Sequence, residues 1–369
     1  MKRAAVAAIG LMTGLTMLTG CSKAEVEETI QPLVADAIEE TDSEAEAVEE
    51  QDESPLIPEI DTSVKIEAGS RIAVVSKSTQ GEYWKLVKKG MEEAVKAINE
   101  AYGFKKDEQI TMTFEGPDDE QDVESQINII DAVIAENPDV LCISASDVDS
   151  CQAQLEAAKG NGIPVISFDS NVSENKLVRA YRGTDNVQVG KMAAYRLGTT
   201  IGKMGRVAVF SAQEKTQSVQ DRVEGFVTNI EKYGDIEVVE IVYSDQVDDM
   251  EAAMKEVLDK YPGLDGVFCT NADITEMYLD MDKSEESDLP ALVGVDATSK
   301  QQEAIRNGDE IGCVSQQPYA MGYQTIWAAI QTTAPKKSVT IEKEVLISPA
   351  WIGPKALDDP EYSAYLYTE

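Results

Sequence analysis

Polar side chains that could bind a small molecule follow the predicted strands in both halves of the chain. Carboxylates, amides and a guanidinium are prominent among them, and such groups can form paired hydrogen bonds with vicinal hydroxyls. Because ligands of open α/β sheets bind at the carboxyl ends of the strands, we expect these side chains to meet there. The set suits a small polyhydroxylated ligand. The candidates are Ser76, Ser144, Asp169, Arg222, Asp245, Gln246, Asn271, Asp296 and Gln316.

Two adjacent aromatic residues, Tyr83 and Trp84, follow the loop Lys77–Glu82 at the start of a predicted helix. Neighbouring helical positions cannot both face one core, so we expect one of the two rings to point into a ligand cleft instead. An aromatic ring at that place would cover the apolar C–H face of a sugar.

Taken alone, each polar strand end also fits a helix cap, because Asp, Asn and Ser are favoured at that position. Their recurrence at the same sheet edge in both halves favours a binding site. The chain has no histidine, which removes the commonest general base, the usual catalytic triads and most zinc sites. We interpret Cys142, Cys151, Cys269 and Cys313 as buried hydrophobic residues, since they lack metal-ligand spacing. We therefore expect no metal and no cofactor.

The elements that carry these residues alternate between short apolar strands and amphipathic helices, which predicts parallel sheets. The alternation occurs in two successive runs, so we predict an α/β fold with two doubly wound parallel-sheet lobes. The predicted strands are Arg71–Ser76, Ile110–Phe114, Asp139–Ser144, Gly162–Asp169, Leu177–Gly183, Arg206–Ser211, Glu237–Tyr243, Leu264–Cys269, Ala291–Val295 and Ile311–Ser315.

Residues 1–21 have the pattern of a bacterial lipoprotein signal peptide. A positively charged start precedes the apolar segment Ala4–Leu18, which is too short for a stable membrane span. The run Leu18-Thr19-Gly20-Cys21 resembles a lipobox, in which the cysteine is acylated. We therefore expect export, lipidation at Cys21 and attachment to the outer face of the cell membrane.

Residues 22–68 are rich in Asp and Glu and contain several prolines. Such a segment cannot bury enough apolar surface to offset its chain entropy, so we expect a disordered linker that holds the folded part away from the membrane. The whole chain has a net charge of −36 at pH 7. Because the folded part also remains acidic, nucleic acid is not an expected partner.

Together these features resemble the periplasmic sugar-binding proteins of ABC importers, in the ribose- and galactose-binding group. The resemblance runs from Arg71 to about Ile347, and no single motif carries it. The matching pieces are VVSKSTQGEYW, NGIPVISFDSN, GTDNVQVGKMAA, QDRVEGF, GVFCTNAD, VGVDAT and VSQQPYAMG.

The resemblance implies a type I periplasmic-binding-protein fold with a three-strand hinge that crosses near Thr184, Gln316 and Leu346. An N-terminal lobe of residues 69–184 and 317–346 is expected, with a C-terminal lobe of residues 185–316 and 347–369. The resemblance also implies sugar contacts from Ser76, Tyr83, Trp84, Ser144, Asp169, Arg222, Asn271, Asp296 and Gln316.

The chain departs from the family's pattern at several of these positions. Ser170 stands where an Arg commonly follows the acid of the fourth strand, and Ser144 stands where an Asn is common. Gln80-Gly81 replaces an Asn-Pro-type turn, and Asp245 or Gln246 falls where the family often has an aromatic residue. The ribose pocket is therefore not reproduced.

By this resemblance the protein is a monomeric, lipid-anchored solute-binding protein that closes on a monosaccharide and delivers it to an ABC permease. Alternatives are a different ligand, such as a signalling furanosyl compound or a nucleoside, and a ligand-sensing subunit of a membrane receptor. An enzyme could use paired acids such as Asp169 and Asp296, but no nucleophile or cofactor motif accompanies them. A transcriptional repressor core shares this fold, but the lipobox and the lack of a helix-turn-helix pattern before Arg71 argue against it.

Overall fold

The computed structural model describes residues 56–173, 175–281, 289–335 and 338–368. The predicted signal peptide, its Cys21 and the linker residues 22–55 lie outside these ranges. Within the described ranges, no helix combines the length and the apolar character that a membrane crossing requires.

Short apolar runs form two six-stranded sheets, and most of the strands are buried on both faces, as expected for parallel sheets. The first sheet contains β1 (Arg71–Val75), β2 (Thr111–Glu115), β3 (Val140–Ile143), β4 (Val165–Phe168), β5 (Ala180–Thr184) and β11 (Glu344–Ile347). The second sheet contains β6 (Met204–Ser211), β7 (Asp235–Tyr243), β8 (Gly266–Cys269), β9 (Ala291–Val295), β10 (Gly312–Ser315) and β12 (Ala350–Ile352).

The two sheets have equivalent strand orders, β11-β5-β4-β3-β1-β2 and β12-β10-β9-β8-β6-β7. The paired strands are parallel, except that β12 runs antiparallel to β10. Strand β4 of the N-terminal lobe therefore occupies the same place as β9 of the C-terminal lobe. The predicted α/β fold with two doubly wound lobes is confirmed.

Nine helices of the described residues pack against these sheets. They are α1 (Gly81–Tyr102), α2 (Val123–Ala135), α3 (Gln152–Gly160), α4 (Asn186–Thr200), α5 (Gln217–Ile230), α6 (Met250–Lys260), α7 (Ala272–Asp280), α8 (Ser299–Asn307) and α9 (Pro318–Gln331). Helices α1, α2, α3 and α9 pack in the N-terminal lobe, and the other five pack in the C-terminal lobe.

The chain crosses between the lobes three times, after β5, after β10 and after β11. These strands end at Thr184, Ser315 and Ile347, each within one residue of a predicted crossing. Three parallel connections of this kind allow the lobes to rotate about a hinge.

The segment before β1 differs from its prediction as a linker. The side chain of Val64 is buried, and Ile60 and Ile66 pack against the core of the N-terminal lobe. The hydroxyl of Tyr102 at the end of α1 donates to the carbonyl of Val64 at 2.6 Å. The predicted linker boundary at residue 68 is therefore wrong, because spaced apolar residues within an acidic stretch are enough to attach it to the lobe.

The four cysteines of the described residues are buried and form no disulfide, as the sequence interpretation expected. Burial raises the pKa of the Cys142 thiol, and it raises the pKa of the Cys151 thiol to about 11. These thiols are therefore protonated and act as small apolar groups.

Two helix pairs cross so closely that only glycine fits at their contact. A Cβ on Gly90 of α1 would lie 2.0 Å from the carbonyl oxygen of Tyr319 in α9. In the C-terminal lobe, a Cβ on Gly190 of α4 would lie 2.1 Å from the carbonyl oxygen of Arg222 in α5. Both crossings fix helices that carry candidate site residues, since α1 begins with Tyr83 and Trp84 and α5 contains Arg222.

We expect Gly190→Ala to destabilise the protein by about 1–3 kcal/mol, because the new methyl group collides with backbone that cannot move independently. Gly160→Ala is the matched control. Its Cβ would meet nothing within 4 Å at the end of α3, so its free energy of unfolding should stay equal or rise slightly. Urea unfolding measures both changes, and equal stabilities of the two variants would contradict the crossing argument.

Candidate functional site

A cavity of about 370 Å³ lies between the lobes, at the carboxyl ends of the strands. This volume is in the range of pockets that bind small molecules. Most of its lining residues are polar or charged, and two aromatic rings lie on one side. The lining residues are Lys77, Ser78, Gln80, Gly81, Glu82, Tyr83, Trp84, Asp118, Asp119, Glu120, Asp169, Ser218, Val219, Arg222, Asn271, Ala272, Asp273, Glu276, Asp296, Thr298 and Gln316.

Asp169 organises the N-terminal side of the cavity. It follows β4 directly and has a φ of 57°, a left-handed conformation that Asp tolerates better than most residues. Its Oδ1 accepts from the Tyr83 hydroxyl at 2.6 Å. Its Oδ2 accepts from the hydroxyls of Ser144 at 2.8 Å and Ser170 at 3.3 Å, and lies 3.0 Å from Nζ of Lys77. A carboxylate has about four lone-pair sites, two on each oxygen, so the three donors at Oδ2 fill that oxygen while Oδ1 keeps one site open.

Lys77 is the buried ionic partner of Asp169. Its ammonium also donates to the Ser170 hydroxyl at 3.2 Å and lies 3.8 Å from Glu120. Burial lowers the pKa of Lys77, but Asp169 and Glu120 raise it by more. Burial raises the pKa of Asp169, but Lys77 and the hydroxyl donors lower it by more. Both groups are therefore charged at neutral pH, and each compensates the desolvation of the other.

Tyr83 and Trp84 both line the cavity, and both rings also pack in the core of the N-terminal lobe. Their rings meet edge to face with centroids 5.1 Å apart. The indole N–H of Trp84 donates to Oε1 of Glu120 at 2.6 Å. The helical spacing predicted that one ring would pack in the core and the other would face the cleft, whereas both rings do both, because the first turn of α1 lies at the sheet edge.

Asp296 occupies the equivalent place in the C-terminal lobe, directly after β9, and has a φ of 79°. Its Oδ1 accepts from the amide of Gln316 at 2.7 Å and from the hydroxyl of Tyr367 at 2.9 Å. Its Oδ2 accepts from the backbone N–H of Ala272 at 3.1 Å. Gln316 in turn accepts from the Thr184 hydroxyl at 2.8 Å. This chain of bonds ties the acid to the hinge.

Arg222 brings a second cation to the cavity wall. It lies in the second turn of α5, where its Nε donates to Asn186 at 2.8 Å and a terminal nitrogen donates to the carbonyl of Thr270 at 2.8 Å. Asn271 combines the two roles that its position predicts. Its side chain caps α7 by accepting from the N–H of Ile274 at 3.1 Å, and it also lines the cavity.

Acidic groups outnumber basic groups around the cavity. Desolvation on the cavity side raises the pKa of Asp273 to about 7, and the negative charges of Glu120, Asp296, Glu276 and Asp119 raise it in the same direction. The rest of the Asp273 side chain is exposed to solvent. An excess of acceptors favours ligands that donate hydrogen bonds. The acids are Glu82, Asp118, Asp119, Glu120, Asp169, Asp273, Glu276 and Asp296, against the bases Lys77 and Arg222.

Direct hydrogen bonds join the lobes around the cavity. On one side, the N–H of Val148 donates to the carbonyl of Lys215 at 3.0 Å, and the hydroxyls of Ser170 and Ser218 lie 2.7 Å apart. On another side, a carboxylate oxygen of Glu82 in α1 accepts at 2.8 Å from the backbone N–H of Ser299, the first residue of α8. The structure is therefore the closed arrangement of the two lobes.

Residues 72–337 match the family described as Periplasmic binding protein domain. The chain belongs to this family. The match covers both lobes and the first two crossings between them, so the resemblance inferred from the motifs is confirmed. The family and its relatives are binding proteins, which also confirms the prediction that the chain is not an enzyme.

Curated relatives of this periplasmic binding protein include the ribose import binding protein of Bacillus subtilis, 23% identical over 205 residues, which are 56% of this chain and 66% of that protein. The D-allose-binding periplasmic protein of Escherichia coli is 20% identical over 288 residues, 75% of this chain and 88% of that protein. The chain spans less than two thirds of the length of the first relatives that it matches.

Solved structures share the fold. A solute-binding protein of Agrobacterium vitis with bound α-D-tagatopyranose aligns with a TM-score of 0.74 at 24% identity, over 81% of this chain and 100% of that one. One from Agrobacterium radiobacter in complex with D-arabinose aligns with a TM-score of 0.71 at 26% identity, over 81% and 99%.

Most of the predicted site residues of this periplasmic binding protein meet at the cavity. They are Tyr83, Trp84, Asp169, Arg222, Asn271, Asp296 and Gln316. Their contact with a ligand stays a prediction.

The structure does not bring four predicted residues to the cavity. Ser76 is buried, and its hydroxyl donates to backbone carbonyls. The hydroxyl of Ser144 donates to the carboxylate of Asp169. Asp245 and Gln246 follow β7, the edge strand of the second sheet, and bond instead to the backbone N–H and the side chain of Glu214. These hydrogen bonds hold both side chains against the loop after β6, outside the cavity lining.

The sequence reasoning missed several cavity residues. It selected the last residue of the first strand, Ser76, whereas the next residue, Lys77, points into the cavity. Glu120 lies after β2 and Asp273 lies in the first turn of α7, and neither stands directly at the end of a strand. The adjacency of Lys77 to the strand end was the available signal. Among the described residues, no cluster of acids and cysteines could hold a metal ion.

The Lys77–Asp169 pair should be strongly coupled. We expect Lys77→Met to lower the free energy of unfolding by about 3 kcal/mol or more, because Asp169 keeps a buried charge without its partner. The double variant Lys77→Met, Asp169→Asn should recover a large part of that loss, giving a coupling energy above about 2 kcal/mol in a double-mutant cycle.

The exposed pair Lys88–Glu92 on α1, with 3.8 Å between its charged atoms, is the control for this cycle. Its coupling should stay within about 0.5 kcal/mol. Additive losses at Lys77 and Asp169 in urea unfolding would show that no buried pair exists.

Proposed function

We propose that this chain is an exported, lipid-anchored solute-binding protein that captures a monosaccharide or a similar polyol between its lobes and delivers it to an ABC permease. The carrying observation is the cavity between the lobes, where the aromatic pair Tyr83 and Trp84 lies beside an excess of carboxylates. Carboxylates accept from vicinal hydroxyls, and aromatic rings cover the C–H face of a sugar.

The relatives support the ligand class. The ligands that these relatives are named for or solved with are ribose, D-allose, D-arabinose and tagatose, which are all small neutral polyhydroxylated molecules. The hinge supports capture by closure, since the three crossings allow the lobes to separate and the hydrogen bonds across the cavity hold them together. In the closed form, surfaces of both lobes would face a permease.

The sugar assignment is tested by thermal unfolding of the purified chain with D-ribose, D-allose, D-arabinose, D-tagatose and a panel of polyols. A ligand at about one hundred times its Kd adds about 2.7 kcal/mol of stability, which raises the Tm by several degrees. Asp169→Asn should abolish the shift, because its donors Tyr83 and Lys77 lose the acceptor that orients them.

Trp327→Phe is the control, since Trp327 lies in the core of the N-terminal lobe on α9 and does not line the cavity. It should lower the Tm slightly and keep the full ligand response. A shift with a nucleoside but with none of the sugars and polyols would overturn the sugar assignment and keep only a binding protein of another ligand class.

Lipidation is tested at Cys21, which ends the predicted lipobox. Cys21→Ala should move the protein from the membrane fraction to the soluble fraction. Cys151→Ala, which changes a buried cysteine of the N-terminal lobe, should leave it in the membrane fraction. Wild-type protein that is wholly soluble and still begins at Met1 would contradict the anchor.

A further inference from the structure

The C-terminal tail after β12 follows the C-terminal lobe and returns to the cavity. Two short 3-10 helices, Ala356–Asp358 and Pro360–Tyr365, form this path. Leu357 is buried in a small apolar cluster of that lobe. The hydroxyl of Tyr365 accepts from the amide of Gln317 at 2.8 Å. The tail is therefore a packed part of the lobe up to its last residues.

Tyr367 is held on the C-terminal lobe by three hydrogen bonds. Its backbone N–H donates to the carbonyl of Ala297 at 3.0 Å, and its own carbonyl accepts from the amide of Gln302 at 2.9 Å. Its hydroxyl donates to Oδ1 of Asp296 at 2.9 Å. Tyr367 therefore contacts the acid that lines the C-terminal side of the cavity.

The ring of Tyr367 packs against the opposite lobe. Tyr367 is fully buried within the core cluster of the N-terminal lobe, and its ring centroid lies 6.1 Å from that of Tyr83. The next residue, Thr368, lies beside Glu82 and Leu86 of α1. One side chain of the tail thus contacts both walls of the cavity at once.

We propose that Tyr367 is a positioning residue of the ligand site: its hydroxyl orients Asp296, and its ring holds the C-terminal lobe against Tyr83. When the lobes separate, the three hydrogen bonds keep Tyr367 on the C-terminal lobe, so its ring must leave Tyr83 and enter water. Burial of an aromatic ring is favourable, so this contact shifts the equilibrium toward the closed form. The effect on ligand affinity rests on the proposed function, whereas the effect on closure does not.

Two substitutions in the full chain separate the two roles. Tyr367→Phe removes the hydroxyl that contacts Asp296 and keeps the ring on Tyr83. Tyr367→Ala removes both. Tyr362→Phe is the matched control, because it deletes the same atom from the same tail at a residue that packs against the small apolar cluster of the C-terminal lobe.

Closure is measured without ligand by amide hydrogen exchange of Val148, whose N–H bonds across the lobes to Lys215 and which lies outside the tail's contacts. Tyr367→Ala should raise the exchange rate of the Val148 amide about tenfold, because the loss of a buried ring contact increases the population of the open form by about that factor. Tyr367→Phe and Tyr362→Phe should stay within about twofold of wild type. The amide of Val209 in the centre of β6 reports on the stability of the C-terminal lobe itself, and its exchange should change by less than that of Val148 in every variant.

Ligand affinity is measured by calorimetric titration with D-ribose, D-allose and D-arabinose. Tyr367→Phe should weaken binding of the sugar that binds wild type by about tenfold, because Asp296 loses a donor that fixes its carboxylate. Tyr367→Ala should weaken binding further, and Tyr362→Phe should not weaken it.

Unchanged exchange of Val148 in Tyr367→Ala would overturn the closure role, as would an equal rise at Val148 and Val209, which means general destabilisation. Unchanged affinity in Tyr367→Phe would overturn the positioning role. If wild type binds none of the three sugars or the wider panel, the proposed function fails, and the exchange of Val148 still decides the closure role.

Discussion

The site depends on one buried carboxylate, that of Asp169. The ammonium of Lys77 and three hydroxyls converge on it within the N-terminal lobe, and only the ionised acid satisfies them together. The left-handed backbone after β4 turns this side chain back over the sheet edge. Because Tyr83 and Lys77 reach the cavity while bonded to Asp169, their positions follow from that carboxylate rather than from their own strand and helix. The main role of this acid is therefore to position the side chains on the N-terminal side of the cavity.

The two lobes repeat the same construction principles with different chemistry. Each places an aspartate with positive φ after the equivalent strand, β4 or β9. Each also fixes the helix that carries site residues by a glycine crossing, at Gly90 in one lobe and at Gly190 in the other. Asp169 is neutralised by a buried lysine, whereas Asp296 is held only by neutral donors. The charge of Asp169 is thus compensated by a direct ion pair, whereas that of Asp296 is stabilised by hydrogen bonds from neutral groups.

The fold was predictable because the spacing of apolar residues and the lengths of the helices and strands decide it. Both can be seen within a short stretch of sequence. The strand Ala291–Val295 was predicted with its observed bounds. Asp169 and Asp296 were found for the same reason, since a buried run that ends in an acid is visible in the sequence. Asp245 satisfied the same rule, yet its carboxylate accepts from the backbone N–H of Glu214 and does not line the cavity. A pattern of strand ends therefore finds the sheet edge but not the part of it that lines the cavity.

The parts that could not be predicted depend on long-range contacts. No periodic pattern marks the tail, and Tyr367 reaches Asp296 and Tyr83 only because short 3-10 turns follow the surface of the C-terminal lobe.

The charge of the cavity also depends on long-range contacts. Acids that are far apart in sequence meet around one cavity, where Lys77 and Arg222 offset only part of their charge. Bringing the lobes together therefore concentrates like charges, which opposes closure, while the hydrogen bonds between the lobes and the Tyr367 ring favour it. A ligand rich in hydroxyl donors would relieve the excess of acceptors, whereas an anionic ligand such as a sugar phosphate would add to the repulsion. The electrostatics of the closed cavity thus favour neutral polyols over their anionic derivatives.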